Sequence, residues 1–246
     1  MSKFYAIISG VGSGTGASAA QLFAKTYPVV LLARNPANYE PVVSSINAAG
    51  GKAIGIPTDA SDPDAVDKAF RRIEDELPGA KLAAAVYNAN GGFSIKPFLE
   101  MKKSDLDASL GTAANGLFYF AQKTIPQLLA TVDAKPLHPP TLIVTGATAS
   151  LKGSARFSTF AAGKFAQRAL TQSLAREFGP QGVHVALAII DGGIDTPWGK
   201  GMVMNNGVED GKINPDAIAE NYWYLHTQPR SAFTHELDLR PFVEKF

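Results

Sequence analysis

The sequence predicts an α/β fold: a doubly wound parallel sheet with helices on both faces. Three observations carry the prediction. Residues 28–33, 82–86 and 183–190 are continuous apolar runs, the character of strands buried on both sides. Segments with apolar residues at helical spacing separate such runs, so strand and helix alternate along the chain. The first apolar run, residues 5–9, leads through a turn with glycines at 10, 12, 14 and 16 into an alanine-rich helix over 17–24.

Composition narrows the function classes. At 246 residues the chain suits one α/β domain spanning 1–246 and is too short for two of ordinary size. A formal charge of +1 with 18% charged residues gives no electrostatic argument for nucleic acid or an anionic membrane. Without cysteine, neither a disulfide framework nor thiolate chemistry is available. No basic segment followed by a long apolar run opens the chain, and no apolar stretch reaches membrane length, so a cytoplasmic protein acting on a small molecule is expected.

The opening turn is the first candidate site. A tight turn needs backbone angles closed to other residues, and a pyrophosphate needs close approach to the backbone; glycine serves both. The following helix offers unpaired N–H groups and its positive dipole end to phosphate. Gly10, Gly12, Ser13, Gly14, Thr15 and Gly16 are therefore candidate dinucleotide contacts. Four glycines also suit a flexible loop, but the strand before and helix after favour the cofactor. The strand over 28–33 ends in Arg34, where an acid would suit the 2′-hydroxyl of NAD and an arginine suits the 2′-phosphate of NADP. NADP(H) is thus expected in preference to NAD(H), against the alternative that Arg34 only solvates a strand end.

A helix over 38–49, closed by Gly50 and Gly51, precedes a third strand over 53–56 that ends at Thr58, Asp59 and Ala60. Asp59, past a strand's C-terminal end, can accept from an adenine amino group or cap the next turn. Over 64–77, Ala65, Val66, Ala69, Phe70 and Ile73 mark a helix with one apolar face. The fourth strand, 82–86, runs into Tyr87, Asn88, Ala89 and Asn90, small and amide residues that suit close packing against a ribose. Ser104 and Asp105 are candidate caps for a long helix through 116–120 to Leu129. Residues 133–140 form a proline-rich surface loop, 141–145 a fifth strand, 157–178 a helix ended by Gly179 and Pro180, and 183–190 a sixth strand stopping at Asp191. Leu237 and Leu239, alternating with charges, suit an edge strand within 232–241. The four histidines have no metal-ligand spacing, so no metal is assigned.

Taken together, this order resembles the short-chain dehydrogenase/reductase family over about four-fifths of the chain. The family's T-G-x-x-x-G-x-G appears as Ser9, Gly10, Gly14 and Gly16; its N-N-A-G loop, altered, as Tyr87 to Asn90; its Y-x-x-x-K as Phe160 and Lys164; and its P-G-x-x-x-T as Asp191, Gly192 and Thr196. The resemblance implies a Rossmann-type sheet of about seven strands, a homodimer or homotetramer, and NAD(P)-linked oxidoreduction of a small-molecule substrate. It implies that Asp59, Ala60, Asn88, Ala89 and Lys164 grip the nucleotide and that Gly192, Ile194 and Thr196 border the nicotinamide. It also implies a substrate lid over 198–210.

The family's proton machinery is where this chain departs. The position of the tyrosine that exchanges a proton with substrate carries Phe160; the serine thirteen residues earlier is Ala147; the helical asparagine is Ala113. Only Lys164 keeps its type. Thr148 and Ser150 lie near the lost serine but can equally satisfy loop backbone, and Asn115, two places past Ala113, faces the other side of a helix. Asp191 can donate a proton or stabilise a cation, or can simply form the turn; Tyr87 is a second candidate acid or a packing residue. The expectation is a reductase using a non-standard proton route. A non-catalytic NADP(H)-binding protein, or non-redox use of the same pocket, is the alternative.

Overall fold

The computed structural model describes residues 3–245, without the side chain of Trp198; residues 1, 2 and 246 of the expected 1–246 domain lie outside the described residues. Among these described residues seven strands form one sheet: β1 (Phe4–Ser9), β2 (Val29–Ala33), β3 (Ala53–Pro57), β4 (Lys81–Tyr87), β5 (Thr141–Ala147), β6 (His184–Ile190) and β7 (Glu236–Leu239). Their order is β3-β2-β1-β4-β5-β6-β7, and every neighbouring pair is parallel. The chain winds outward from β1 to β3, then returns and winds the other way from β4 to β7. That reversal opens a crevice beyond the C-terminal ends of β1 and β4, where such sheets bind ligands.

Among the described residues seven α-helices cover the sheet: α1 (Thr15–Phe23), α2 (Pro36–Ala48), α3 (Pro63–Glu76), α4 (Lys103–Leu110), α5 (Leu117–Val132), α6 (Ser158–Phe178) and α7 (Pro215–Thr227). Successive strand side chains point to opposite faces, so each strand feeds two cores. Ala6, Ile8, Val29 and Leu31 pack with α1, α2 and α7 on one face; Tyr5, Ile7, Val30 and Leu32 pack with α3 and α5 on the other, with α6 alongside. This double burial is why the strands read as uninterrupted apolar runs, and each fully buried Leu or Ile contributes about 1.5–3 kcal/mol.

Most elements lie where the pattern places them, within a few residues. Two differ. Residues 103–132 are not one α-helix capped by Ser104: Lys102 precedes the first helical residue, Asp105 Oδ2 accepts from the Lys102 N–H at 2.9 Å, and a π-helical segment, Gly111–Gly116, separates α4 from α5. A Cβ at Gly116 would overlap the Tyr87 hydroxyl and lie 2.8 Å from the Ala60 carbonyl oxygen, so this wider segment passes close to the ends of β3 and β4. The other is α7, for which the sequence reading had no element. Its signals are present: Asn214 Oδ1 accepts from the Asp216 N–H at 2.8 Å, Pro215 opens the helix, and Ile218, Ala219, Tyr222 and Leu225 are buried along one face.

α7 carries His226 into the core beside α1. Thr141 Oγ1 donates to the Pro139 carbonyl, so it can only accept from His226 Nδ1 at 3.1 Å, and Nε2 then accepts from the Tyr27 hydroxyl at 2.9 Å. The imidazole is neutral, and burial, with the nearby His138 and His184, pushes its pKa down to about 3.

Candidate active site

The glycine turn lies in the crevice between β1 and α1. Gly10 has φ of +89°, and a Cβ there would overlap the backbone of Asn88 and Ala89. Asn88 Nδ2 donates to the Gly10 carbonyl at 2.8 Å, and the Asn88 N–H donates to the Ser9 carbonyl at 2.8 Å, so the end of β4 braces the turn. Gly16 is closed off by the Gly10 carbonyl at 2.6 Å and Gly14 by Thr196 Cγ2 at 2.6 Å from a would-be Cβ. Gly12 is different, because a Cβ there would meet nothing within 4 Å. The turn is thus packed against protein on three glycines and open at the fourth. Beside that space stands the start of α1, where the Ala17 N–H is taken by the Gly12 and Gly14 carbonyls at 3.1 and 2.9 Å while the buried Thr15 hydroxyl has no partner. Such a donor set fits an anionic nucleotide.

Arg34 is exposed at the end of β2, and its charge reaches Asp59. Burial alone would raise the Asp59 pKa, but the Ser61 hydroxyl and N–H, donating to Oδ1 at 2.7 and 2.9 Å, together with Arg34, hold it below the ordinary value. The Asp59 side chain thus shapes the turn after β3, which is its capping reading. Ala60 follows it against the π-helical segment.

Phe160 lies on the first turns of α6, with Ala147 at the end of β5. Phe160 is buried with Ala149 and Ala161, and Ala147 and Phe157 pack against that cluster. Phe93, from the loop after β4, sets its ring edge-on to Phe160 at 4.9 Å and to Phe157 at 6.1 Å. Three nearby hydroxyls are engaged. Ser150 Oγ donates to the Ala147 carbonyl at 2.6 Å, Thr159 Oγ1 to Met101 Sδ at 3.7 Å, and Tyr87 to the Thr112 carbonyl at 2.6 Å. Tyr87 is buried and its pKa is raised, first by desolvation and then by Asp59, so it packs and is a poor acid. Ser158 Oγ is buried without a partner, two places from Phe160 and so on another side of α6. Ala113 is buried within the π-helical segment, and Asn115 is exposed.

Lys164, one turn beyond Phe160, is buried. Its Nζ donates to the Thr145 carbonyl at 3.1 Å and to Gln167 Oε1 at 3.0 Å, and lies 5.9 Å from the Phe160 ring centre. Burial pushes its pKa down to about 8. Because the ammonium can only donate, the Gln167 amide must present its oxygen, which leaves Gln167 Nε2 buried without a partner. The spacing from Lys164, three places along one helix, was the available signal for Gln167; no sequence signal pointed to Phe93.

Asp191 is buried just past β6. It accepts from the Thr148 hydroxyl and pairs with Arg240 Nη2 at 3.3 Å, while its N–H donates to the Leu239 carbonyl at 2.8 Å. The carboxylate thus joins the ends of β5, β6 and β7 as well as following the turn, and Thr148 meets it whereas Ser150 satisfies loop backbone. Beyond it, Gly192 abuts Pro241, Met204 packs against Gly193, and Ile194 forms a parallel bridge with Ile213. Thr196 Oγ1 accepts from the Gly199 N–H at 3.3 Å. The expected lid contains two short 3₁₀ turns, Pro197–Gly199 and Asn205–Gly207; Asn205 Nδ2 donates to the Gly211 carbonyl and to Glu244 Oε2, tying the lid to the C-terminal segment. Among the described residues no group of three or more His, Asp or Glu could hold a metal ion, and no helix is long and apolar enough to cross a membrane.

Known proteins share this fold. The family model for short chain dehydrogenases matches residues 5–206. A crystal structure of a short-chain dehydrogenase from Rhodopseudomonas palustris is 30% identical, covers 96% of this chain and 99% of its own, and superposes with a TM-score of 0.76. A metagenomic short-chain oxidoreductase solved in complex with NADP is 25% identical, with coverage of 98% and 97% and a TM-score of 0.78. An uncharacterized oxidoreductase of Staphylococcus aureus (strain USA300) is 26% identical over 237 residues, 96% of each chain. A seven-stranded doubly wound sheet, a glycine turn at its switch point and a family match over residues 5–206 agree: the chain belongs to the short-chain dehydrogenase family and is an oxidoreductase.

Proposed function

We propose that the protein is an NADP(H)-dependent reductase of a small organic molecule whose acceptor needs little acid, such as an iminium or a conjugated alkene. The observation that carries this reading is a divided site. The nucleotide-gripping turn is intact beside a buried Lys164, whereas Ala147 and Phe160 place apolar side chains where a proton would be exchanged.

In this reading Gly10 to Gly16 and the start of α1 bind the pyrophosphate, Asp59 and Ala60 border the adenine, and Asn88, Ala89 and Lys164 hold the ribose. Arg34, together with the NADP bound by the metagenomic relative, supports NADP(H). Gly192, Ile194 and Thr196 border the nicotinamide, which when bound supplies the hydride. A positioned general acid is worth about 10²- to 10⁴-fold in rate, so simple ketones are poor substrates here. Stopped-flow loss of NADPH absorbance across a panel of ketones, iminium ions and conjugated alkenes tests the reading; retention of NADPH with every class overturns it. The family's assembly habits suggest a homodimer or homotetramer, which sedimentation velocity checks.

The packing of Phe160 in an apolar cluster also favours a second reading, a non-catalytic NADP(H)-binding protein. In that case Phe160→Tyr with Ala147→Ser and Ala113→Asn is needed before ketone turnover appears, and wild-type turnover dismisses it.

A further inference from the structure

We infer that the acceptor taken by this site is a neutral, planar conjugated carbonyl compound, of the quinone or cyclic enone class, held edge and face against Phe93, Phe157 and Phe160. The inference rests on the reductase reading and chooses between the acceptors it allows.

Three features select this class. The first is the wall. Phe93 comes from the loop after β4, Phe157 and Phe160 from the start of α6, and the three rings meet at 4.9 and 6.1 Å in edge-on contacts. Phe160 is buried, yet Phe93 keeps half its surface exposed, at 51%. A half-covered ring abutting a buried aromatic cluster offers a π surface to a flat ligand, and offset or edge-on aromatic contacts add to simple area burial.

The second is charge. Lys164 Nζ is buried 5.9 Å from the Phe160 ring, and its two protein partners, the Thr145 carbonyl and Gln167 Oε1, are uncharged. The carboxylate of Asp191, just past β6, is already paired with Arg240 and Thr148. A cationic iminium would therefore sit next to a buried cation whose protein partners carry no charge. A neutral carbonyl becomes an oxyanion on reduction, which the same ammonium favours.

The third is proton supply. The hydroxyls of Thr148, Ser150 and Thr159 are donated to protein acceptors. Reduction adds a hydride to the conjugated system, the displaced electron pair moves to the carbonyl oxygen as an enolate or hydroquinonate, and the reduced nicotinamide is oxidised by the same two electrons. These delocalised oxyanions persist until solvent supplies one proton, so no positioned acid is required. An alkoxide from an isolated ketone has no such delocalisation.

The test uses the full-length protein with 2-methyl-1,4-naphthoquinone, cyclohexanone and N-methyl-3,4-dihydroisoquinolinium as probes. Calorimetric binding is measured with NADP⁺ present, so that nothing is reduced, and NADPH loss is followed separately. The naphthoquinone is expected to bind and to be reduced at least about tenfold better than the similarly sized cation. Phe93→Ala is expected to weaken its binding about tenfold, with no loss of NADP⁺ affinity or thermal stability, which separates a lost contact from misfolding. Equal or better binding of the cation, or indifference to Phe93→Ala, overturns the inference. Naphthoquinone binding that depends on Phe93 without NADPH loss upholds the ligand class and overturns the reductase reading instead.

Discussion

At the scale of single residues, the replacement at 160 matters less as a loss than through the company it gives Lys164. A lysine in water keeps its charge well above neutral pH; here burial brings it down to about 8 from 10.5. The native fold thus disfavours the protonated form, by about 3 kcal/mol for such a shift. The penalty is fully present below pH 8 and is relieved as pH rises from about 8 toward 10.5, because over that interval the unfolded chain binds the extra proton. Urea unfolding of wild type and Lys164→Met across that range should show their stability difference shifting in favour of wild type as pH rises. The same substitution should weaken NADPH binding at every pH, which separates the lysine's cost to the fold from its use. Phe160 and Ala147 could be placed by the resemblance to the family, whose motif Lys164 sets in register. The engagement of Thr148 with Asp191 could not, because they lie on different strands' ends, 43 places apart.

At the scale of elements, the turn between β1 and α1 distinguishes two kinds of glycine. Gly10 combines a left-handed φ with overlap against the end of β4, so Gly10→Ala should destabilise the protein by about 2 kcal/mol or more, measured by chemical unfolding. Gly12 faces open space, so Gly12→Ala should leave the unfolding midpoint within about 0.5 kcal/mol of wild type while weakening NADPH binding about tenfold or more by calorimetry. A sequence shows four equivalent glycines; only the neighbours brought by β4 and by Thr196 tell them apart. α7 teaches the converse. Its cap, opening proline and apolar face were legible, but the stretch follows a polar lid, and it gains its meaning by packing on α1 at the other end of the chain.

At the scale of the whole molecule, the proposed nucleotide site draws on residues from most of the sequence. A ligand bound only by the native state stabilises it by about 2.7 kcal/mol at a hundred times its Kd. For a chain of this size that is roughly 5–10 °C in Tm. NADPH should produce a rise of this order. Arg34→Glu should reduce it while leaving the smaller shift with NADH unchanged or increased, and differential scanning fluorimetry reads both. An equal shift with NADPH in Arg34→Glu would remove Arg34 from the cofactor's 2′-phosphate.

What the sequence determined by itself is local and periodic. Strand runs buried on both faces, the glycine turn, the Phe160 to Lys164 spacing and the alternation of elements follow from residues close together in the chain, where backbone geometry and burial act directly. The tertiary structure decided which polar groups remain free. Asp191 is held by Thr148 and Arg240, Gln167 is turned by Lys164, and Phe93 lies against Phe160 across the crevice. Each of the contacts with Asp191 and Phe160 joins residues tens of positions apart, and a hydroxyl or carboxylate has chemistry to offer only when no such partner has claimed it.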